Sequence, residues 1–341
     1  MAKLTEKENF MMTVRGETPA WVSRYGMGPP NPFSSHPPAV SGIGPSIFRE
    51  HMSPKGGTDI WGVEFVSTRE TGYMSLPKPG KFLLDDIRNW RDVIKAPDLS
   101  GIDWDTMAKT DIKNMNVNRE NTACVYMTHV GYFQTLMNFM GFTNGLIAMY
   151  EEPDEVIALF EYLSDFYCDV AKKAVHYYKP DVFNVTDDTA TATNPFISPE
   201  MYRTLVKPYH ARLAQIGIDA GLPIEMHNCG RCEDFIEDWR DFGVCLWNPA
   251  QVVNDLQSIK AKYGNSLVLC GCWDSQGPAG WPGAPEELVR QAVRDTIDAY
   301  ADGGGFIFWG SVYGDPDDPS VDDKRRWMTE EYENYRETPY K

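Results

Sequence analysis

From about Thr122 to the end of the chain, apolar and polar residues alternate in two different patterns. Short, continuous apolar runs are typical of strands buried on both faces, and longer stretches with apolar residues every three or four positions are typical of helices. The predicted strands are TACVYMTHV, DVFNVT, LPIEMHN, VCLWNP, SLVLCGC and GFIFWGSV. Stretches such as PDEVIALFEYLSDFYCDVAKKAVHYY and SPEMYRTLVKPYHARLAQIGIDAG separate them with helical spacing. This alternation predicts a parallel sheet that is covered by helices.

The N-terminal part of the chain shows these two patterns less clearly. The stretch Pro29–Pro45 is rich in Pro, Gly and Ser, and it predicts an arm or lid without a helix or a central strand. TDIWGVEFV predicts a short strand pair, and LLDDIRNWRDVIKAP predicts a helix that Pro97 ends. With the later strands, these elements fit an eight-stranded barrel better than an open sheet. We therefore predict one α/β domain over residues 1–341, a (β/α)8 TIM barrel with an irregular N-terminal arm of about residues 1–55.

Composition narrows the choice of function. The formal net charge of −17 disfavours binding to nucleic acid or electrostatic docking onto an anionic membrane. No apolar run approaches the roughly 18 residues that span a bilayer, and MAKLTEKENFMMTVRGE lacks the apolar core of a secretory signal. We therefore expect a cytoplasmic protein. Seven cysteines without an export signal favour reduced thiols or a metal site over a disulfide framework.

The stretch EMHNCGRCEDF places His227, Cys229 and Cys232 at a predicted strand end, where α/β barrels carry their working residues. His227 and Cys229 are two residues apart, so an extended chain points both side chains the same way, as half of a zinc site. A buried histidine beside apolar cysteines is the structural alternative. Cys270 and Cys272 at another strand end favour the metal site. We predict His227, Cys229 and Cys272 as ligands with one open position, and Cys232 or Cys270 as substitutes for Cys272.

Two further sets of residues lie at the same predicted mouth. Asp187 and Asp188 are adjacent, so one carboxylate can face the pocket as a catalytic group while the other caps a turn or helix. Capping alone is the structural alternative for the pair. The second set is predicted to line the substrate pocket, although each member alone is more often a core residue: His129, Tyr132, Trp61, Trp309 and Tyr313.

Several of these motifs resemble the uroporphyrinogen decarboxylase superfamily. The similar stretches are NPFISPEMYRTLVKPYHARL, GYFQTLMNFMGFTNGLIAMYEEPDEV, and MHNCG followed by DFGVCLWNPAQ and DLQSIKAKYGNSLVLCGCWD. They cover most of residues 55–335 in the family's order, and the resemblance implies a single (β/α)8 barrel. True decarboxylases of the family carry Arg-Gln-Ala-Gly-Arg-Tyr near the N-terminus, whereas PAWVSRYGMGP retains only Arg24 and Tyr25.

WGVEF and LPKPGKFLLDDIRNWRDVIKAP look more like the branch of zinc methyltransferases that serve corrinoid proteins. This resemblance implies an anaerobic O-demethylase component. Such an enzyme moves a methyl group from a small-molecule methyl ether, including methoxylated aromatics, to the cob(I)alamin of a partner corrinoid protein, with Zn²⁺ as Lewis acid. Thiol-directed members take a third ligand from the last barrel strand, but GGGFIFWG contains no cysteine. The alternatives are a methylcorrinoid:thiol methyltransferase, a cofactor-free decarboxylase that uses Asp187, and a non-enzymatic binding module.

Overall fold

Eight parallel strands form a nearly closed barrel in this computed structural model, which describes residues 4–26, 31–128, 131–315 and 317–340. The strands of the chain, barrel and smaller sheet together, are β1 (Ser23–Arg24), β2 (Val40–Ile43), β3 (Met52–Ser53), β4 (Gly56–Thr58), β5 (Glu64–Val66), β6 (Leu76–Pro77), β7 (Ala123–Tyr126), β8 (Val182–Thr186), β9 (Ile224–His227), β10 (Val244–Ala250), β11 (Val268–Cys272) and β12 (Phe306–Trp309). The barrel order is β1-β12-β11-β10-β9-β8-β7-β2, with β1 and β2 at its two edges. The predicted fold is therefore confirmed.

Helices cover the outside of the barrel. They are α1 (Glu6–Val14), α2 (Trp90–Val93), α3 (Trp104–Met115), α4 (Tyr132–Glu151), α5 (Pro153–Tyr178), α6 (Pro199–Met201), α7 (Lys207–Asp219), α8 (Ile236–Asp241), α9 (Leu256–Tyr263), α10 (Glu286–Tyr300) and α11 (Pro319–Tyr335). A π-helical segment, Tyr202–Val206, joins α6 to α7 just before Pro208, which has no backbone N–H to donate. The helix predicted before Pro97 is reduced to the single turn of α2.

The N-terminal segment is more regular than its composition predicts. It contains α1, whose start is a capping box between Thr5 and Glu8, and it supplies β1 and β2 to the barrel. The prediction that Pro29–Pro45 contains no central strand holds only in part, because β2 lies inside it but at the edge of the sheet, where it pairs with β7 alone. Short strands among Pro and Gly give no periodic signal, which is why the sequence pattern does not reveal them.

The two ends of the barrel are covered differently. At the N-terminal end the Lys7 N–H donates to the carbonyl of Asn121, just before β7, and α1 places Phe10 and Val14 against the interior side chains. At the C-terminal end the antiparallel sheet β3–β6 contributes Met52 and Phe65 to a cavity that Asp188 and His227 also line, so it lies at the mouth. The Tyr73 hydroxyl of that sheet's β5–β6 connection donates to the Asp315 carboxylate, 2.7 Å away, in the loop after β12. The small sheet thus forms a roof over the mouth, and the hydrogen bond between Tyr73 and Asp315 connects this roof to the loop after β12.

A buried ion pair joins the two ends of the chain. The Arg336 guanidinium lies 2.6 Å from the Glu6 carboxylate, and both side chains are buried. Because α1 leads into β1 and Arg336 follows α11, the pair holds the N-terminal segment in the barrel wall. Loss of one partner would leave the other charge buried without compensation.

We expect Arg336→Met to lower the free energy of unfolding by about 3 kcal/mol, because Glu6 would remain buried without its cation. The matched control is Arg326→Met, which removes an exposed arginine from α11 and should cost less than about 1 kcal/mol. Urea unfolding of the purified proteins measures both values. Equal costs for the two variants would contradict the role assigned to the pair.

Candidate metal and substrate site

The end of β9 brings an imidazole and a thiol together. His227 is the last residue of the strand and Cys229 lies two residues further, so both side chains point into the barrel mouth. The His227 Nε2 atom lies 3.9 Å from the Cys229 Sγ atom. Burial and the neighbouring Asp188 carboxylate raise the pKa of the Cys229 thiol well above its ordinary value. A bound dication would reverse that shift, because a coordinated thiol loses its proton.

A carboxylate from the neighbouring strand completes the group. Asp188 follows β8, and its Oδ1 atom accepts a 2.8 Å hydrogen bond from the backbone N–H of Cys229. One ligand atom each of Asp188, His227 and Cys229 lies within 4.8 Å of the others. Oxygen, nitrogen and sulfur donors at this separation fit a single Zn²⁺, and three protein ligands leave one position for a substrate atom.

Asn248 fixes the orientation of the imidazole. Its Oδ1 atom lies 2.6 Å from His227 Nδ1, and an amide oxygen can only accept, so Nδ1 carries the proton. The lone pair of Nε2 therefore faces Cys229. Metal-binding histidines are commonly held in this way by a second partner, which sets the tautomer.

A buried acid lies one step deeper in the barrel. Glu225 precedes His227 by two residues on β9, and its Oε1 atom accepts hydrogen bonds from the Tyr25 hydroxyl and the Asn184 amide, each at 2.7 Å. The side chain is fully buried, and the burial raises its pKa to about 7 despite these hydrogen bonds. Glu225 is a residue that the sequence analysis gave no role, although its two-residue spacing from His227 puts it on the same face.

Asp187 has a structural task. Its carboxylate accepts hydrogen bonds from the backbone N–H groups of Phe133 and Gln134, each at 2.9 Å, in the first turn of α4. Its Oδ2 atom also lies 3.1 Å from His210 Nε2, and both side chains are fully buried. A Cβ atom on Gly131 would come within 2.3 Å of Asp187 Oδ1, so only glycine fits there. Asp187 thus holds the start of α4, and Asp188 is the member of the pair that faces the pocket.

The structure does not gather the other predicted sulfur ligands at the triad. Cys272 has a positive φ of 58°, and its thiol packs in the layer between barrel and helices, near Lys260 and Tyr300. Cys270 belongs to the apolar interior of the barrel. The Cys232 thiol donates to the carbonyl of Cys229 at 2.9 Å, and burial raises its pKa well above the usual range. We therefore replace Cys272 by Asp188 in the ligand set.

A cavity of about 430 Å³ opens above the triad. Asp188 and His227 line it together with Trp61, so the predicted contact of Trp61 with substrate stays a prediction that this cavity allows. The remaining lining is mixed: it includes aromatic and amide side chains, several hydroxyls, and two charged side chains, Arg49 and Asp59. This volume suits a small ligand of one or two rings.

Three of the other residues predicted to line the substrate pocket lie elsewhere. Tyr132 is fully buried among aromatic side chains, and its hydroxyl contacts Ser164, so it is a core residue. The Trp309 ring lies 6.4 Å from the His227 ring, but it faces a second cavity of about 760 Å³ beside β1. Tyr313 is 60% exposed at the rim of that second cavity. His129 lies outside the described residues.

Comparison with known proteins places this site in a family. The family model "Uroporphyrinogen decarboxylase (URO-D)" matches residues 106–310, which is more than half of the chain and contains the whole triad. The chain belongs to the URO-D family. Among solved structures, this family member is similar to a methyltransferase from Methanosarcina mazei, with 13% identity, a TM-score of 0.61, and coverage of 98% of this chain and 99% of that one. A likeness at this identity shows the shared fold.

No curated protein matches the sequence of this URO-D family member. Within the parts of the chain that the structure covers, every helix is too short or too polar to cross a membrane.

We expect zinc affinity to separate the two ligand sets. Cys229→Ser should weaken zinc binding by more than about 100-fold, because it removes a coordinating atom, and Cys272→Ser should change the affinity less than about threefold. Competition with a chromophoric chelator measures both constants. A large loss in Cys272→Ser with none in Cys229→Ser would restore the ligand set chosen from sequence.

The raised pKa of Glu225 predicts a pH-dependent stability in the metal-free protein. Because the folded state holds this proton more tightly than the unfolded state, the stabilisation is complete below about pH 4.5 and is lost as the pH rises through about 7. The loss amounts to roughly 3 kcal/mol. Glu225→Gln should remove this slope, whereas the exposed control Glu200→Gln should keep it. Urea unfolding between pH 5 and pH 8 tests this, and identical slopes in both variants would refute it.

Proposed function

We propose that this URO-D family member is a zinc-dependent methyltransferase that cleaves methyl ethers. It would take a methyl group from a methoxylated aromatic compound and pass it to the cob(I)alamin of a separate corrinoid protein. The observation that carries the proposal is the Asp188–His227–Cys229 triad, two members of which, Asp188 and His227, line a 430 Å³ cavity that also has aromatic side chains in its wall. The fold shared with a methyltransferase supports the same class of reaction.

Zinc held by the triad would supply Lewis-acid chemistry, since it can take up the negative charge that an ether oxygen gains as its C–O bond breaks. The chain's own residues perform the remaining tasks. Trp61 and Phe48 offer apolar faces against which a flat ring can pack. Asn248 keeps the Nε2 lone pair of His227 available by holding the proton on Nδ1.

The roof of the mouth contributes by limiting water. The β3–β6 sheet lies over the cavity, and the hydrogen bond between Tyr73 and Asp315 ties it to the far side of the barrel. A water-poor site strengthens the interaction between a cation and a developing negative charge. The partner's corrinoid would approach from the open side of the same mouth.

The surroundings of Asp187 disfavour the cofactor-free decarboxylase. That mechanism would use the Asp187 carboxylate to stabilise charge on the substrate, but this carboxylate is fully buried and accepts hydrogen bonds from α4. The thiol methyltransferase remains an outcome of the experiment, because the same ligands could hold zinc for a thiol.

The test is an anoxic methyl-transfer assay with a panel of methoxyarenes, cob(I)alamin as acceptor, and parallel zinc analysis. We expect about one zinc per chain and a transfer rate that falls by more than about 100-fold in Cys229→Ala. The matched control is Cys245→Ala, which removes a half-buried thiol on β10 outside the triad.

Three outcomes would contradict the proposal. Full activity after zinc removal would do so, and so would loss of activity in Cys245→Ala but not in Cys229→Ala. Transfer from a methylated corrinoid to a thiol, without any reaction of methoxyarenes, would instead establish the thiol methyltransferase.

A further inference from the structure

Three oxygen-bearing side chains of the cavity already have partners or a place in the triad: Asp59, Tyr167 and Asp188. The Asp59 carboxylate accepts the backbone N–H groups of Trp61 and Val63, each at 2.9 Å, so it shapes the roof loop. The Tyr167 hydroxyl accepts from the Trp61 indole at 3.1 Å and bonds Thr135 at 3.2 Å. Asp188 belongs to the triad.

Three side chains of the same cavity carry hydrogen-bond donors that have no partner among the residues that the structure describes. Within the described chain, the guanidinium of Arg49 has no carboxylate within 4.0 Å, and the side-chain amides of Gln134 and Asn138 make no hydrogen bond. Arg49 is also the one cationic side chain among the described residues of this lining. A guanidinium offers five donors that match the two oxygens of a carboxylate.

Arg49 and the triad differ in their exposure to solvent, which distinguishes an outer and an inner end of the cavity. Arg49 follows the short 3-10 helix Ser46–Phe48 over the mouth and is exposed to solvent, whereas His227 of the triad is buried. Phe48 and Trp61 belong to the same lining. A flat ligand in this cavity would therefore have one end towards the triad and the other towards the guanidinium.

We propose that the substrate is an aromatic acid, with a carboxylate that binds Arg49 and a ring that packs against Phe48 and Trp61. The proposal rests on the proposed function, because the methoxy oxygen then faces the triad. The amides of Gln134 and Asn138 line the same cavity and can bond further polar groups of the ligand. The overall charge of −17 repels anions, so a local cation is needed to admit such a substrate.

Isothermal titration of 4-methoxybenzoate against the neutral isostere 4-methoxybenzamide tests the assignment without turnover. The wild-type protein should bind the acid about 10-fold more tightly than the amide, and Arg49→Gln should abolish that preference. Arg49→Lys should retain part of it, because the charge remains but the paired donors are lost. The matched control, Lys55→Gln, removes an exposed cation of the small sheet outside the cavity and should change nothing.

Equal affinities for acid and amide in the wild type, or an unchanged preference in Arg49→Gln, would overturn the inference. The circular dichroism spectrum of Arg49→Gln checks that the variant is folded, which its exposed position favours. Selective binding of the acid without methyl transfer would support the carboxylate subsite while refuting the proposed function. Demethylation of neutral methoxyarenes with the same kcat/KM as the acids would refute the subsite and leave the methyltransferase intact.

Discussion

The hydrogen bond from the Cys229 backbone N–H to the Asp188 carboxylate joins the loops that follow two neighbouring barrel strands. In a parallel barrel these loops leave the sheet at the same end, so side chains far apart in sequence meet there. The bond places a carboxylate beside the thiol and the imidazole, which β9 alone would present without a third ligand. The proposed metal chemistry depends on this one connection, because His227 and Cys229 by themselves make only half of a site.

The adjacent carboxylates after β8, Asp187 and Asp188, have different roles. Asp187 turns away from the mouth and holds the first turn of α4, while Asp188 turns towards the triad. The two roles support each other, since α4 carries Gln134 and Asn138 into the wall of the same cavity. A change at Asp187 would therefore move the wall that a substrate contacts, although Asp187 itself does not line the cavity.

The sequence predicts the long apolar strands and the short pair β4–β5, and it misses the other short strands, β1, β2, β3 and β6. The run VFNVT appears as β8 as expected, but Ser23–Arg24 has too few residues for any period to be visible. In the site, the two-residue spacing of His227 and Cys229 predicts their approach, because that spacing is local. Cys272 is expected at the mouth because it ends another strand, but its backbone is left-handed and its side chain packs in the layer between barrel and helices. Asp188 in place of Cys272 could not be read from spacing, since it depends on how two strands lie side by side.

X-ray absorption at the zinc K-edge of the zinc-loaded protein tests the central claim most directly. The account predicts one sulfur neighbour at about 2.3 Å together with nitrogen and oxygen neighbours at about 2.0–2.2 Å. It also predicts that the sulfur signal disappears in Cys229→Ser. Two or more sulfur neighbours, or a sulfur signal that persists in Cys229→Ser, would contradict a site built from Asp188, His227 and Cys229.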